Sequence, residues 1–258
     1  MSQTIQLTQK DALGIITFNR PEVFNSFNKE LALEVLAAMD NYASDPTIRA
    51  ILITGNGKAF CAGQDLQEAM APDFEIEKVV AEHYNPFIEK IRTVAKPVVA
   101  AVNGVAAGAG ANIAIACDVV VATRSASFIQ AFSKIGLIPD SGGTFTLPRT
   151  IGFPKASALM MLGDKVSADD AERLGMVYKV FDDETFLEEA EAIAQRLAGM
   201  PTKGLAYTKH LLNQSLTNSL EQQLEMEKDF QFKATQTYDH KEGIKAFVEK
   251  RKPEFKGE

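Results

Sequence analysis

Short apolar runs without charge alternate with longer amphipathic stretches through most of this chain. Residues 12–18, 50–54 and 98–102 carry no charge and are stopped by Asn19-Arg20-Pro21, Gly55-Asn56-Gly57 and Asn103-Gly104. Such runs read as strands buried on both faces of a sheet. Residues 118–122 and 176–181 give two more strand-like pieces. Between them, Leu31, Leu33, Val35, Leu36 and Met39 recur at helical spacing, so the pattern predicts a helix over 29–42 with Asn28 as its N-cap. Residues 58–66 lead into another helix, 67–76 lack periodicity and read as a loop, and 77–94 read as one long helix. A loop of tiny residues, 106–111, precedes a short helix over 111–116. Further helices are predicted at 144–151 and 153–163, with a capped start at Ser167–Ala171. From there 184–198, 202–214, 217–237 and 240–250 all read as helix. Strands alternating with helices, followed by helices alone, imply an α/β core over 1–200 and a C-terminal helical region over 201–258. The boundary at Gly199-Met200-Pro201 is soft. Helices with apolar faces and little sheet to cover pack on a neighbour, so an oligomer is expected.

Composition narrows the function. The 258 residues are 46% hydrophobic, enough for a large core. No apolar run reaches the ~18–20 residues of a bilayer span. The N-terminal residues have neither a basic start nor an apolar block, so no secretory signal is expected and the location is read as cytoplasmic. Cys61 and Cys117 are then expected as reduced thiols. The net charge of −7, with dispersed Lys and Arg, argues against a nucleic-acid surface. His83, His210 and His240 lie in charge-rich helical segments and are read as surface residues without metal spacing. No Gly-x-Ser-x-Gly elbow is present, which disfavours a Ser–His–Asp hydrolase. Gly55-Asn56-Gly57-Lys58 lacks the remaining residues of a phosphate loop. In Gly108-Ala109-Gly110-Ala111-Asn112-Ile113 the third dinucleotide-motif glycine is Ile113, and no acid follows at ribose distance.

Ala62-Gly63 and Ala109-Gly110 each form a small-residue turn between an apolar strand and a helix. Two such turns at the same end of adjacent parallel strands would aim two N–H groups at one oxygen; alternatively the small residues only allow close strand–helix packing. Both readings stand on sequence alone. Asp140, in the rigid turn Ile138-Pro139-Asp140-Ser141-Gly142-Gly143, is either a capping residue or a base. The apolar Leu137-Ile138-Pro139 before it would desolvate the carboxylate and raise its pKa, as a base for carbon acids requires. Asn112 is a polar group of the pocket or a buried hydrogen-bonding residue, and Cys61 a reactive thiol or a small packing residue.

Six segments together carry a family likeness. They are Ile16–Pro21, Lys58–Leu66, Lys96–Gly104, Gly108-Ala109-Gly110, Ile138–Gly143 and Ala246–Arg251. In these the chain resembles the crotonase (enoyl-CoA hydratase/isomerase) superfamily over nearly its whole length. The resemblance implies a spiral of ββα turns with a C-terminal helical trimerisation region. It also implies a homotrimer or dimer of trimers and an acyl-CoA thioester as ligand. Coenzyme A would be part of the substrate, with no separate cofactor, metal, membrane or nucleic acid. By position, the N–H groups of Ala62 and Ala109 would hold the thioester oxygen. Phe24, Gly63, Gln64, Asp65, Leu66 and Gly108 would contact coenzyme A or substrate, and Phe247 and Lys250 would reach it from the C-terminus, often from a neighbouring subunit. The two glutamates of family hydratases fall at Asn112 and Phe132, neither of which can move a proton. Asp140 sits where single-acid isomerases of the family, the 1,2-epoxyphenylacetyl-CoA type among them, carry their acid. The implied activity is an acyl-CoA isomerase working through a thioester enolate. The alternatives are a hydratase of the same superfamily and a non-catalytic acyl-CoA-binding member.

Overall fold

A computed structural model describes residues 4–258. Its first sheet, in the order β1-β2-β3-β5-β7-β10, comprises Ile5–Lys10, Leu13–Phe18, Ala50–Gly55, Val98–Val102, Val119–Thr123 and Lys179–Phe181. A second sheet, β4-β6-β8-β9, comprises Ala59–Cys61, Val105–Ala107, Ser127–Ile129 and Lys165–Ser167. All neighbours pair parallel except β1 with β2 and β8 with β9. The chain crosses from one sheet to the other and on to a helix, then repeats: β3–β4, β5–β6 and β7–β8 are successive turns of a ββα spiral.

Helices α1 to α12 are Lys29–Ser44, Leu66–Ala69, Ile76–Val79, Asn85–Thr93, Ala109–Ala116, Gly143–Ile151, Phe153–Leu162, Ala168–Leu174, Phe186–Ala198, Thr202–Gln214, Leu220–Thr235 and Tyr238–Glu249. Asn28 caps α1 through Leu31 N–H at 3.0 Å, and Ser167 caps α8 through Asp170 N–H at 3.1 Å. The uncharged strands β3 and β5 are buried at every residue because both faces of the first sheet are covered. Ala50, Leu52, Val99 and Ala101 face α9, whose Ala190, Ala194 and Ala198 lie in the same cluster. Ile51, Ile53, Val98 and Ala100 face inward with α1, α5 and the second sheet. Among the described residues no helix is long and apolar enough to cross a membrane.

The structure departs from the sequence pattern in three places. Residues 5–10 form an edge strand with one buried residue of six, and β6, β8 and β9 are three residues long, too short for any period to show. The segment expected as one helix over 77–94 is α3, a π-helical turn over Val80–Tyr84, and α4. Pro86 explains that turn. It has no N–H for the carbonyl four residues back and its ring crowds that carbonyl; the wider turn instead bonds Asn85 N–H to Val80 O. The loop expected over 67–76 is bracketed by the one-turn helices α2 and α3.

The two sheets meet because glycine brings backbones together. A methyl added at Gly110 would lie 2.1 Å from Cys61 O, and one at Gly104 2.2 Å from Lys58 O. Gly110→Ala should therefore lower unfolding stability by about 1–3 kcal/mol or more by overpacking. Gly204→Ala on α10, whose nearest new neighbour is 3.8 Å away, should leave stability unchanged or raise it by up to about 1 kcal/mol. Chemical denaturation of the two variants side by side measures the difference.

Candidate active site

Strands β4 and β6 run parallel, so the turns that leave them, at Ala62-Gly63-Gln64 and Gly108-Ala109, emerge at the same end of the second sheet. They form one wall of a cavity of about 500 Å³ whose other walls include Tyr84, Phe132, Leu137 and Asp140. A larger groove of about 810 Å³ lies between α10 and α11, lined by Leu211, Leu224 and Phe230 among others. Neither turn nor Asp140 borders that groove, so the smaller cavity is the candidate site.

The direction of each amide in the first turn is fixed by its partners. Ala62 N–H donates to Phe24 O at 3.0 Å and is spent there, against the expectation that it would face a ligand oxygen. The carbonyl of Gly63 accepts from Phe27 N–H at 2.7 Å. In a planar trans peptide the C=O and the following N–H point opposite ways. Gln64 N–H is thus aimed away from Phe27, and it has no hydrogen-bond partner among the described residues. Gly63, at φ +90°, brings this peptide against α5: a methyl added there would lie 2.9 Å from Ala107 O and 3.5 Å from Ala109 N. Ala109 is the first residue of α5, so its N–H has no intrahelical acceptor and carries the positive end of the helix dipole. The paired amides of this site are those of Gln64 and Ala109. Of the two readings that the sequence left open, these distances bear on close packing: small residues let the Gly63 peptide lie against α5.

The loop holding Phe24 is pinned by Asn25, fully buried, whose Nδ2 donates to Asn56 O and Ala59 O at 2.9 and 2.7 Å. Arg20 joins it to Asp65 through a 2.8 Å ion pair. Burial pushes the Asp65 carboxyl up, but Arg20 and the N–H groups of Gln67 and Glu68 outweigh it and hold the carboxyl below its ordinary value. Asp65 is thereby a helix cap and ion-pair partner rather than a free ligand group. Cys61 is fully buried, and burial pushes its thiol up to about 12, so it packs rather than reacts. Cys117 is likewise a buried free thiol.

Asp140 borders the cavity with no cation within ion-pair distance among the described residues. Burial raises its carboxyl above the ordinary value, only partly opposed by the Ser141 hydroxyl, which donates to Oδ1 at 2.9 Å. It does not cap α6, whose N-cap is Gly142. Of the apolar residues expected to desolvate this carboxylate, Ile138 is 82% exposed, whereas Leu137 lines the cavity with it. Asn112 is fully buried and outside the cavity: its Nδ2 donates to Asp140 O at 2.8 Å and its Oδ1 accepts from Gln130 Nε2 at 2.8 Å. That amide holds the Asp140 turn.

Gly63, Gln64, Leu66, Gly108 and Phe132 line the cavity as expected from their positions. The Phe24 ring is half exposed and off its wall. Phe247 is 85% exposed on α12 beside a separate groove, and Lys250 is the left-handed C-cap of that helix, so one chain does not bring them to the site. His83 is buried in the π-helical turn, contrary to its reading as a surface residue. Sequence reasoning passed over Tyr84 and Gln130. The Asn85-Pro86 break inside a predicted helix was the signal for Tyr84; an isolated Gln after a three-residue strand gives none for Gln130.

The family model described as "Enoyl-CoA hydratase/isomerase" matches residues 8–258. A 1,2-epoxyphenylacetyl-CoA isomerase from Escherichia coli is 46% identical over 248 residues, covering 94% of each chain. A probable enoyl-CoA hydratase from Rhodobacter capsulatus is 42% identical over 254 residues, covering 98% of each. The crystal structure of an enoyl-CoA hydratase from Bacillus anthracis superposes with a TM-score of 0.95 at 32% identity, covering 99% of this chain and 100% of that one.

Asn112→Ala should orphan the buried Gln130 amide, at roughly 1–3 kcal/mol, and remove one of two bonds to the Asp140 carbonyl, which keeps Gly143 N–H at 2.9 Å. Denaturant unfolding measures the loss, and an unchanged midpoint would show that the clamp contributes nothing.

Proposed function

The chain belongs to the enoyl-CoA hydratase/isomerase family, and from that premise we propose that it is an acyl-CoA isomerase working with one aspartate base. The observation that carries this is Asp140, a desolvated carboxylate without an ion-pair partner among the described residues, on the same cavity as two unpaired main-chain amides. The other carboxylate in the cavity wall, Asp65, is neutralised by Arg20.

For a 3-enoyl thioester the steps follow from these groups. The Asp140 carboxylate takes a proton from the carbon next to the thioester carbonyl. The C–H electron pair moves into the bond toward the carbonyl carbon, and the oxygen gains negative charge. Gln64 N–H and Ala109 N–H meet that charge, an interaction commonly worth about 3–4 kcal/mol per donor. The protonated Asp140 then delivers its proton to the far end of the conjugated system, leaving the double bond shifted and the carboxylate restored. A shift needs no water, so one acid suffices. A ring-1,2-epoxyphenylacetyl-CoA would use the same base and the same oxyanion contacts. In this reading Leu66 and Phe132 contact substrate, and Phe247 and Lys250 reach the coenzyme A of a neighbour in a trimer or dimer of trimers. Their exposure, away from the cavity of their own chain, supports that placement.

Asp140→Asn should cut turnover by about 10²–10⁴-fold while leaving binding of a saturated acyl-CoA within a few-fold; isomerisation at a comparable rate would overturn the assignment. The ionised form is the base, so kcat/KM should fall as pH drops, starting at higher pH than an ordinary carboxylate of about 3.9 would give. The same raised pKa means that the fold favours the protonated acid. Its contribution to stability is present at low pH and lost as pH rises through the folded-state pKa. Asp140→Asn should therefore be the more stable protein at pH 7, with the gap closing at low pH when melting curves are compared. A second reading, hydratase, is favoured by the likeness to the Rhodobacter protein; loss of the conjugated thioester absorbance of a trans-2-enoyl-CoA would reveal it. Binding without conversion across an acyl-CoA panel would instead indicate a non-catalytic member.

A further inference from the structure

Residue 64 is held by its side chain as well as by its peptide. The Tyr84 hydroxyl donates to Gln64 Oε1 at 2.9 Å, and Gln64 Nε2 donates to Glu68 Oε2 at 2.9 Å. Glu68 Oε1 accepts Lys29 N–H, the first residue of α1, at 2.9 Å. Every link joins a different element: the π-helical turn, the β4 exit turn, α2 and α1. Tyr84 is itself closely packed. It is 1% exposed, and its ring stacks on Phe27 with centroids 5.2 Å apart. Phe27 is the residue whose N–H and C=O grip the Gly63 carbonyl and the Asp65 N–H, at 2.7 and 2.9 Å. The ring and the hydroxyl of Tyr84 therefore bear on the same peptide from two sides. Burial pushes the phenol well above its ordinary value, with Cys61 and Asp140 adding to it, so the hydroxyl stays protonated and a donor.

The geometry points to Tyr84, through Gln64 and Glu68, as a positioning residue that fixes the direction of the Gln64 main-chain N–H for the oxygen of the bound thioester. This rests on the oxyanion site of the proposed isomerase. A donor contributes in proportion to how well it is aimed before the charge develops, so tightening residue 64 acts on the enolate more than on the ground-state thioester. A tyrosine that only filled the core would affect folding stability and leave the polarisation of the carbonyl alone. The long side chain of Gln64 is bonded at both ends, an anchorage that the methyl of Ala109 in the opposite turn cannot provide.

The test is vibrational. A saturated acyl-CoA carrying ¹³C at the thioester carbonyl is bound to the wild-type protein, to Tyr84→Phe, to Gln64→Met and to the double variant. Infrared difference spectra then read the carbonyl stretch. The expected result is a shift to lower frequency in the wild type, partly lost in each single variant and no further reduced in the double, because both break one relay. With a 3-enoyl-CoA, kcat should fall several-fold and by no more than the roughly 10²–10³ of losing an oxyanion donor outright, with KM little changed. A wild-type shift retained in full by Tyr84→Phe and Gln64→Met overturns the positioning role and leaves the oxyanion site standing. No shift in the wild type itself overturns the oxyanion site and the inference with it.

Discussion

The site depends on how closely two polypeptide backbones approach at the exits of β4 and β6. Side chains at Gly63, Gly104 and Gly110 would each run into a main-chain oxygen within 3.0 Å. Their absence lets the second sheet sit on the N-terminal end of α5 and lets the Gln64 peptide lie against Ala109. A β-carbon at Gly110 would push α5 away from Cys61. Catalytic use of a main-chain N–H demands this closeness, since the donor cannot reach out as a side chain does. The all-buried α5 follows from the same requirement: its sequence is alanine, glycine and isoleucine around one Asn because every face meets another element.

That dependence explains which features were legible in the sequence. The strands β2, β3 and β5 are uncharged over five or six residues because both faces of the sheet are covered, and the pattern shows it directly. Helix α1 announces itself through Asn28 and its apolar spacing. Strands β4, β6, β8 and β9 do not, because three residues have no measurable period and their pairing is decided by the spiral. At the site, the small-residue turns were visible and the peptide plane was not. Ala62 and Gln64 are two residues apart in one turn, and the choice between their amides is made by Phe24 O and Phe27 N–H from a distant loop. Asp140 was legible as a carboxylate in a rigid turn with a raised pKa; that of the apolar residues before it Leu137 borders the cavity while Ile138 is exposed was not legible.

The cavity treats its two carboxylates oppositely, and the difference is entirely one of partners. Asp65 and Asp140 both border it. Asp65 receives Arg20 and two main-chain N–H groups and is held ionised. Asp140 receives one hydroxyl and no cation among the described residues, so burial dominates and the proton is held more tightly. The base of the proposed isomerase, which must also return its proton, needs the second environment, because an over-stabilised carboxylate would be too weak a base.

Position 112 shows why a second acid is hard to accommodate in this arrangement. Its side chain is fully buried, donates to the Asp140 carbonyl and accepts from Gln130. An amide satisfies both demands, having a donor end and an acceptor end. An ionised carboxylate offers only acceptors and would face the Asp140 carbonyl oxygen without a hydrogen to share. It would also bring a second charge into the region whose burial already raises Asp140. Space is as restrictive as charge, for a methyl on Gly143 would fall 2.3 Å from Asn112 Nδ2, so the turn after Asp140 closes directly over the amide. A longer acid at 112 would therefore have to displace the turn that carries the base. A second acid at position 112 would require this turn to be built differently.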